Sequence, residues 1–175
     1  MGRTTTGSGN GQLREQVRLP PGRADHRLVV ATTRCERAGL RLTPLRRDVL
    51  ALLLANPRAV GAYELLDAMR VMHPGAQPPT VYRALEFLRE AGLAHRIDAL
   101  NAFVACTLAE HDHSLLLVCP ACGKVSEVND PEVFHLLAKH AAQAGFHLPN
   151  ACLEVKASCA RCAPAADTCC AAHAG

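Results

Sequence analysis

The sequence predicts an α+β protein in two parts, with helices concentrated in the first part and short strands in the second. Four apolar segments between residues 26 and 92 have helical periodicity with clear start and stop signals, and two short extended runs follow them. From residue 114 onward, strand-like runs surround one further helical segment, and cysteines recur in pairs. Aromatic residues make up only 3% of the chain and Trp is absent, so we expect an aliphatic core.

The four N-terminal segments are predicted helices because capping or helix-breaking residues bound each of them. These residues are Gly39 after the first, Thr43, Pro44 and Pro57 around the second, Pro74-Gly75 after the third, and Pro79 and Gly92 around the fourth. The next run, "AHRIDALNAFVAC", predicts a hairpin that turns around residues 98–101. Short helices followed by a small hairpin are the order of a winged helix-turn-helix domain, which we place at residues 26–106.

The fourth helix is the candidate for reading DNA, because its two faces differ in character. Arg83 can make a bidentate contact with a guanine edge, and Thr80, Tyr82 and Tyr63 can bind phosphates or bases. An ordinary amphipathic surface helix would show the same periodicity, so the pattern alone leaves both readings open. The apolar face carries Val81, Ala84, Leu85 and Leu88, and the polar face carries Tyr82, Arg83, Glu86 and Arg89.

The charge distribution is compatible with a polyanionic partner, and a solvated arginine-rich surface explains it equally well. The chain has a net charge of +3, but fifteen arginines and ten acidic residues precede residue 111, whereas four basic and six acidic residues follow it. The first part is therefore cationic and is the better candidate for a polyanionic partner. Double-stranded DNA is the partner that we expect.

The second part, residues 107–163, predicts a β-β-α-β unit. "SLLLVC", "KVSEV" and "CLEVKASC" are the strands, with alternation expected at Leu153, Val155 and Ala157. Asp130 caps the helix, which begins at Pro131 and ends at Gly145. A unit this small is usually stabilised by a metal or by dimerisation.

Two C-x-x-C pairs, Cys119–Cys122 and Cys159–Cys162, predict a structural zinc site. Each pair places two thiolates on one tight turn, and two such turns complete a tetrahedral zinc site. The alternative is a redox dithiol, although the βαβ context of a thioredoxin-like protein is missing. No His is followed two places later by Glu, which excludes a zinc deaminase, and we expect no enzyme activity and no small-molecule substrate.

Five further residues form a second candidate metal site. His111 and His113 lie on one side of an extended segment, and three more ligand types flank the join between the two parts. Singly, each residue has an ordinary structural explanation; as a set, they surround the place where a ligand could change domain geometry. The set consists of His95, Cys106, His111, His113 and Glu127.

The sequence also predicts a cytoplasmic location. No apolar run approaches the ~20 residues that span a bilayer, so no membrane association is expected. The N-terminus lacks a signal-peptide stretch, and nine cysteines in such a chain indicate metal binding or redox work rather than disulfides. Residues 1–25 and 164–175 are expected to be flexible tails; Cys169, Cys170 and His173 in the second could bind metal.

These residues together resemble the ferric uptake regulator family of bacterial metal-responsive repressors, and most closely its zinc uptake regulator branch. The similar segments are "AYELLDAMR", "PPTVYRALEFL", "AHRIDALNAFVAC", "CPACGKVSEV" and the second C-x-x-C, which span about residues 26–162 in the family's order. The resemblance implies a homodimer, with the winged helix-turn-helix domain joined to a small C-terminal α/β dimerisation domain. It implies a zinc-responsive repressor of zinc uptake genes that binds operator DNA. Ferrous or peroxide-responsive regulation within the family, and a thiol redox sensor, remain the alternatives.

The resemblance also implies roles for individual residues and about two zinc ions per chain. The structural zinc falls on the four cysteines of the C-x-x-C pairs. The regulatory zinc falls on His95, Cys106, Glu127 and His113, with His111 as the alternative to His113. The family's DNA contacts fall on Tyr63, Thr80, Tyr82 and Arg83.

Overall fold

The computed structural model describes residues 23–107, 113–148 and 152–163, with side chains described from residue 26. The chain divides into two compact units, up to residue 109 and from residue 110. Within the described residues, no helix is both long enough and apolar enough to cross a bilayer.

The described part of the first unit contains four helices and a small sheet, in the order that the sequence predicts. A 3-10 turn, Asp98–Leu100, joins the last two strands of that sheet. The elements are α1 (Arg23–Arg37), α2 (Pro44–Ala55), β1 (Val60–Gly61), α3 (Ala62–Met72), α4 (Pro78–Glu90), β2 (Ala94–Ile97) and β3 (Ala102–Ala105).

The helix boundaries follow the capping and breaking signals closely. Thr43 accepts a hydrogen bond from the Arg46 backbone N–H, and Pro44 opens α2, as predicted. The predicted start of α4 at Pro79 is wrong by one residue, because Gln77 is the N-cap and Pro78 occupies the first helical position. Proline is tolerated at either position, because N–H groups in the first turn have no partner within the helix. The sequence therefore could not show which of the two prolines begins α4.

The core of the first unit is aliphatic and lies between the helices. Twenty-two buried residues form one cluster, and α4 contributes its four apolar residues Val81, Ala84, Leu85 and Leu88 to it. The predicted amphipathic face of α4 is therefore confirmed. Outside the core, the Arg46 guanidinium lies 3.6 Å from the centre of the Phe87 ring, which links the start of α2 to α4.

The sheet of the first unit has the strand order β1-β3-β2, and both pairings are antiparallel. The hairpin β2–β3 confirms the predicted wing of the winged helix-turn-helix fold. The sequence did not predict strand β1, because a strand of two residues is too short to show alternation. Val60 pairs with Phe103, which attaches the wing to the loop that precedes α3.

The second unit is a three-stranded sheet with one helix. Its elements are β4 (Ser114–Val118), β5 (Val125–Val128), α5 (Pro131–Gln143) and β6 (Cys152–Lys156), with strand order β5-β4-β6. The order β-β-α-β is confirmed, and β6 pairs parallel with β4. The expected alternation in the last strand is wrong at its end, because Ala157 lies beyond β6 and Val155 is exposed. The described apolar core is small: Leu116, Val118, Cys119 and Phe134.

Candidate metal centres and nucleic-acid interface

Four thiols meet at one end of the second sheet. The parallel strands β4 and β6 both run toward this end, so the turns that follow them lie side by side. The Sγ atoms lie within 4.8 Å of one another, and those of Cys122 and Cys159 are 3.6 Å apart. The four cysteines of this thiol cluster are Cys119, Cys122, Cys159 and Cys162.

The two C-x-x-C turns have matching backbone hydrogen bonds. The Gly123 N–H donates to the Cys119 carbonyl at 2.9 Å, and the Ala163 N–H donates to the Cys159 carbonyl at 2.7 Å. Gly123 has φ +70°, a conformation that a side chain would strain, so this turn requires glycine after its second cysteine. Each turn therefore presents its two Sγ atoms on the same side.

Hydrogen bonds shift the pKa values of the thiols in this cluster in different directions. A hydrogen bond from the Cys159 backbone N–H lowers the pKa of the Cys119 thiol to about 6. Burial raises the pKa of Cys159, but hydrogen bonds from the Arg161 backbone and other donors outweigh it and lower that pKa overall. Hydrogen bonding with the Cys122 side chain raises the pKa of Cys162 to about 12. The cluster can therefore hold negative charge on Cys119 at neutral pH.

The spacing of these thiols fits zinc. A tetrahedral site with Zn–S bonds of ~2.3 Å has sulfurs ~3.8 Å apart, close to the 3.6 Å of the Cys122–Cys159 pair. A disulfide would need ~2.05 Å, and all four cysteines are free thiols. Four thiolate ligands leave no open position, which is typical of a structural site rather than a catalytic one.

Two predicted ligands of the second site lie together in the first unit. His95 lies on β2 opposite Val104 of β3, and the Cys106 backbone N–H donates to the Leu93 carbonyl at 2.9 Å just beyond the same strand pair. A ring nitrogen of His95 lies within 4.8 Å of the Cys106 Sγ. The wing hairpin therefore brings one imidazole and one thiol close enough for both to bind a single metal ion.

Two more predicted ligands belong to the second unit. Glu127 lies on β5, where its Oε1 accepts a hydrogen bond from the Ser114 hydroxyl at 3.0 Å. Ser114 is buried, and sequence reading missed it, because a serine at a strand start gives no signal of a carboxylate partner. The ring of His113 stacks on Phe134 with centroids 4.8 Å apart. His111 lies outside the described residues, as do Cys169, Cys170 and His173.

Three of the four candidate DNA-binding residues are exposed on the first unit, and the fourth, Thr80, is half-buried. Tyr63 lies in the first turn of α3 and is 68% exposed, and Tyr82 on α4 is 46% exposed. Thr80 is in the first turn of α4, where its backbone N–H donates to Gln77, and the Arg83 side chain is exposed. These positions at helix starts match what a recognition helix needs.

Comparison with known proteins decides the family. A sequence profile described as the ferric uptake regulator family matches residues 37–156. The chain belongs to the ferric uptake regulator family. The matched residues include the first C-x-x-C pair and all of the winged helix except its first helix. Cys159 and Cys162 lie just beyond the matched residues.

Individual members of the family give a finer comparison. The chain is 39% identical over 130 residues to the zinc uptake regulation protein of Escherichia coli K12, covering 73% of this chain and 76% of that protein. It is 30% identical over 145 residues to the peroxide operon regulator of Bacillus subtilis, covering 79% and 95%. A zinc uptake regulator solved with zinc and DNA matches with a TM-score of 0.74 and 36% identity, covering 81% of this chain and 95% of that one. The crystal structure of holo XcZur matches with a TM-score of 0.67 and 37% identity, covering 77% of this chain and 95% of that one.

Proposed function

We propose that this chain is a zinc-responsive repressor that binds operator DNA as a homodimer and controls zinc uptake genes. The likeness to the zinc uptake regulator solved with zinc and DNA, 36% identical over 81% of this chain, carries the proposal. The exposed α4 face supports it, because Arg83 and Tyr82 present donors beside the start of the helix. The protein binds DNA and catalyses no reaction, and it acts in the cytoplasm.

The two metal sites have different roles because their ligands differ. The thiol cluster is closed and holds the second unit together. The regulatory site takes His95 and Cys106 from the first unit and Glu127 and His113 from the second. Zinc binds a thiol as the thiolate and balances the charge of that thiolate and of the carboxylate. The metal therefore favours the conformation that gathers the ligands. The protein therefore holds about two zinc ions per chain.

Regulation follows from where the ligands lie in the chain. His95 and Cys106 belong to the wing hairpin, which follows α4 directly, so gathering the ligands restrains the unit that reads DNA. The conformation that gathers them also sets the spacing of the two α4 helices in the dimer, and DNA binds that conformation. By reciprocity, operator DNA tightens zinc binding by the same factor that zinc tightens DNA binding.

The ligand chemistry distinguishes zinc from the family's other signals. One thiolate with two imidazoles and a carboxylate suits zinc better than a hard-oxygen metal. The 39% identity to a zinc regulator against 30% to a peroxide regulator points the same way. A redox sensor is the second candidate, and the low pKa of Cys119, about 6, is the observation that favours it.

One experiment separates these functions. Duplex DNA selected by the protein from a random library is titrated with protein by fluorescence anisotropy at buffered free zinc, ferrous iron or peroxide, and metal content is measured in parallel. Zinc-dependent binding with about two zinc ions per chain supports the proposal. Binding that follows iron, peroxide or thiol oxidation instead would overturn it.

A further inference from the structure

The wing hairpin holds one arginine in a fixed position. The Asp98 carboxylate forms an ion pair with the Arg96 Nε at 3.1 Å, and the Asn101 Oδ1 accepts a hydrogen bond from the Arg96 Nη2 at 3.5 Å. Both partners belong to the turn that joins β2 to β3. The tip of the wing therefore positions an arginine of β2. Sequence reading gave Arg96 no role.

This arrangement contributes little to folding. The side chains of Arg96 and Asp98 are 48% and 83% exposed, and ion pairs this exposed add little to stability. Asn101 has φ 46°, and among the described residues it is the only one besides glycine with a positive φ. Asparagine adopts this left-handed conformation more readily than most residues, and here it ends the 3-10 turn with its Oδ1 accepting from Arg96. The turn therefore orients Arg96 more than it stabilises the fold.

The held guanidinium keeps donors for a partner. A guanidinium has five N–H groups, and Asp98 and Asn101 accept from two of its nitrogens, Nε and Nη2. Among the described residues, no further partner of the guanidinium is present, so the Nη1 group and the second N–H of Nη2 are left. They are the pair of donors that a bidentate phosphate contact uses. Holding the side chain in advance lowers the conformational entropy that such a contact costs.

Arg96 faces the same cleft as the proposed DNA-contact residues. A cleft of about 380 Å³ is lined by Tyr63, Tyr82, Arg89, Arg96 and Asn101, among others. Glu64 and Glu86 also line this cleft, so its charge is balanced and undirected attraction of an anion is weak. Directed donors therefore decide what binds there.

We propose that Arg96, held by Asp98 and Asn101, binds a backbone phosphate of the operator beside the recognition helix α4. The inference rests on the proposed function, because Tyr63 and Tyr82 on the same cleft are its assigned DNA contacts. The wing then adds a contact that positions α4 on the duplex without reading sequence.

Arg96→Gln and Asp98→Ala test this proposal in opposite electrostatic directions. The zinc-loaded variants are titrated with the duplex that the wild-type protein selects, over a range of salt concentrations. Arg96→Gln should weaken binding about tenfold and make the slope of log K against log salt shallower by about 0.9 per bound chain. Asp98→Ala removes a negative charge yet should also weaken binding, and this effect should vanish in the Arg96→Gln background.

Controls make each outcome decisive. Arg37→Gln removes the same charge from the exposed end of α1, and all variants are checked for wild-type zinc content and thermal unfolding. Unchanged binding by Arg96→Gln, an equal loss by Arg37→Gln, or tighter binding by Asp98→Ala would overturn the proposal. If the wild-type protein selects no duplex at all, the proposed function fails instead.

Discussion

Replacing one thiol of the cluster should unfold the second unit and leave the first intact. Three described aliphatic or aromatic side chains of the second unit are fully buried, Leu116, Val118 and Phe134, and together contribute ~5–9 kcal/mol. A structural zinc site contributes ~10–16 kcal/mol to folding. Because the metal outweighs the apolar core, Cys119→Ser should leave a second unit that is unfolded, and a protein that is monomeric.

Hydrogen exchange measured by mass spectrometry reports the unfolding of each unit separately. In the wild type, the Ala157 N–H donates to Val118 and the Cys119 N–H donates to Lys124, so both amides report on the sheet beside the cluster. Their protection should fall by about two orders of magnitude or more in Cys119→Ser, since each ~1.4 kcal/mol is tenfold. Amides of α2 and α4, which pack in the twenty-two-residue core, should keep theirs.

The matched control is Cys152→Ser, which changes an exposed thiol in the same unit outside the cluster. This variant should keep wild-type zinc content and protection. A Cys119→Ser protein that remains a dimer with its full zinc content and protected β4 amides would show that the reasoning is wrong.

Three further predictions concern DNA, the switch and pH. Arg83→Ala should weaken operator binding by about 1–3 kcal/mol with unchanged zinc content, as measured by anisotropy in matched salt. Cys106→Ser should leave a folded dimer with about one zinc per chain, and its DNA affinity should no longer rise with zinc. His113→Ala should have the same effect and His111→Ala should not. Two bound zinc ions in Cys106→Ser would contradict the ligand assignment. The zinc affinity of the thiol cluster should fall as the pH is lowered. The fall should be steeper below about pH 6, because the Cys119 thiolate takes up a proton there that zinc must displace. Competition with a chelator between about pH 5 and 8 measures how steeply the affinity changes.

Local chemistry made most of the fold predictable. Thr43 with Pro44, and Asp130 with Pro131, mark helix starts that the structure reproduces, because capping depends on residues only two or three positions apart. Strand β1 was not predictable, since Val60 and Gly61 become a strand only by pairing with β3. Parallel pairing of β6 with β4 is equally non-local, and it is this pairing that brings the two C-x-x-C turns together.

The candidate sites were predictable in composition and less so in contacts. Spacing alone indicated that the four cysteines form one site, because a C-x-x-C turn has few geometries. The hydrogen bond from Ser114 to Glu127 and the stacking of His113 on Phe134 depend on side-chain positions that no local pattern encodes. The same holds for Arg96, whose partners Asp98 and Asn101 are near in sequence but meet it only because of the 3-10 turn.

The parallel pairing of β4 and β6 also sets the order in which the chain can fold during synthesis. The core of the first unit is complete once Ala105 has left the ribosome, because every residue of that core precedes it. The thiol cluster stays incomplete until Cys162 emerges. The strand before its second cysteine pair, β6, follows α5 in the chain but pairs with β4, which precedes α5. Closing so long a segment is entropically slow, so each nascent chain displays a finished DNA-reading unit before it can assemble its structural metal site.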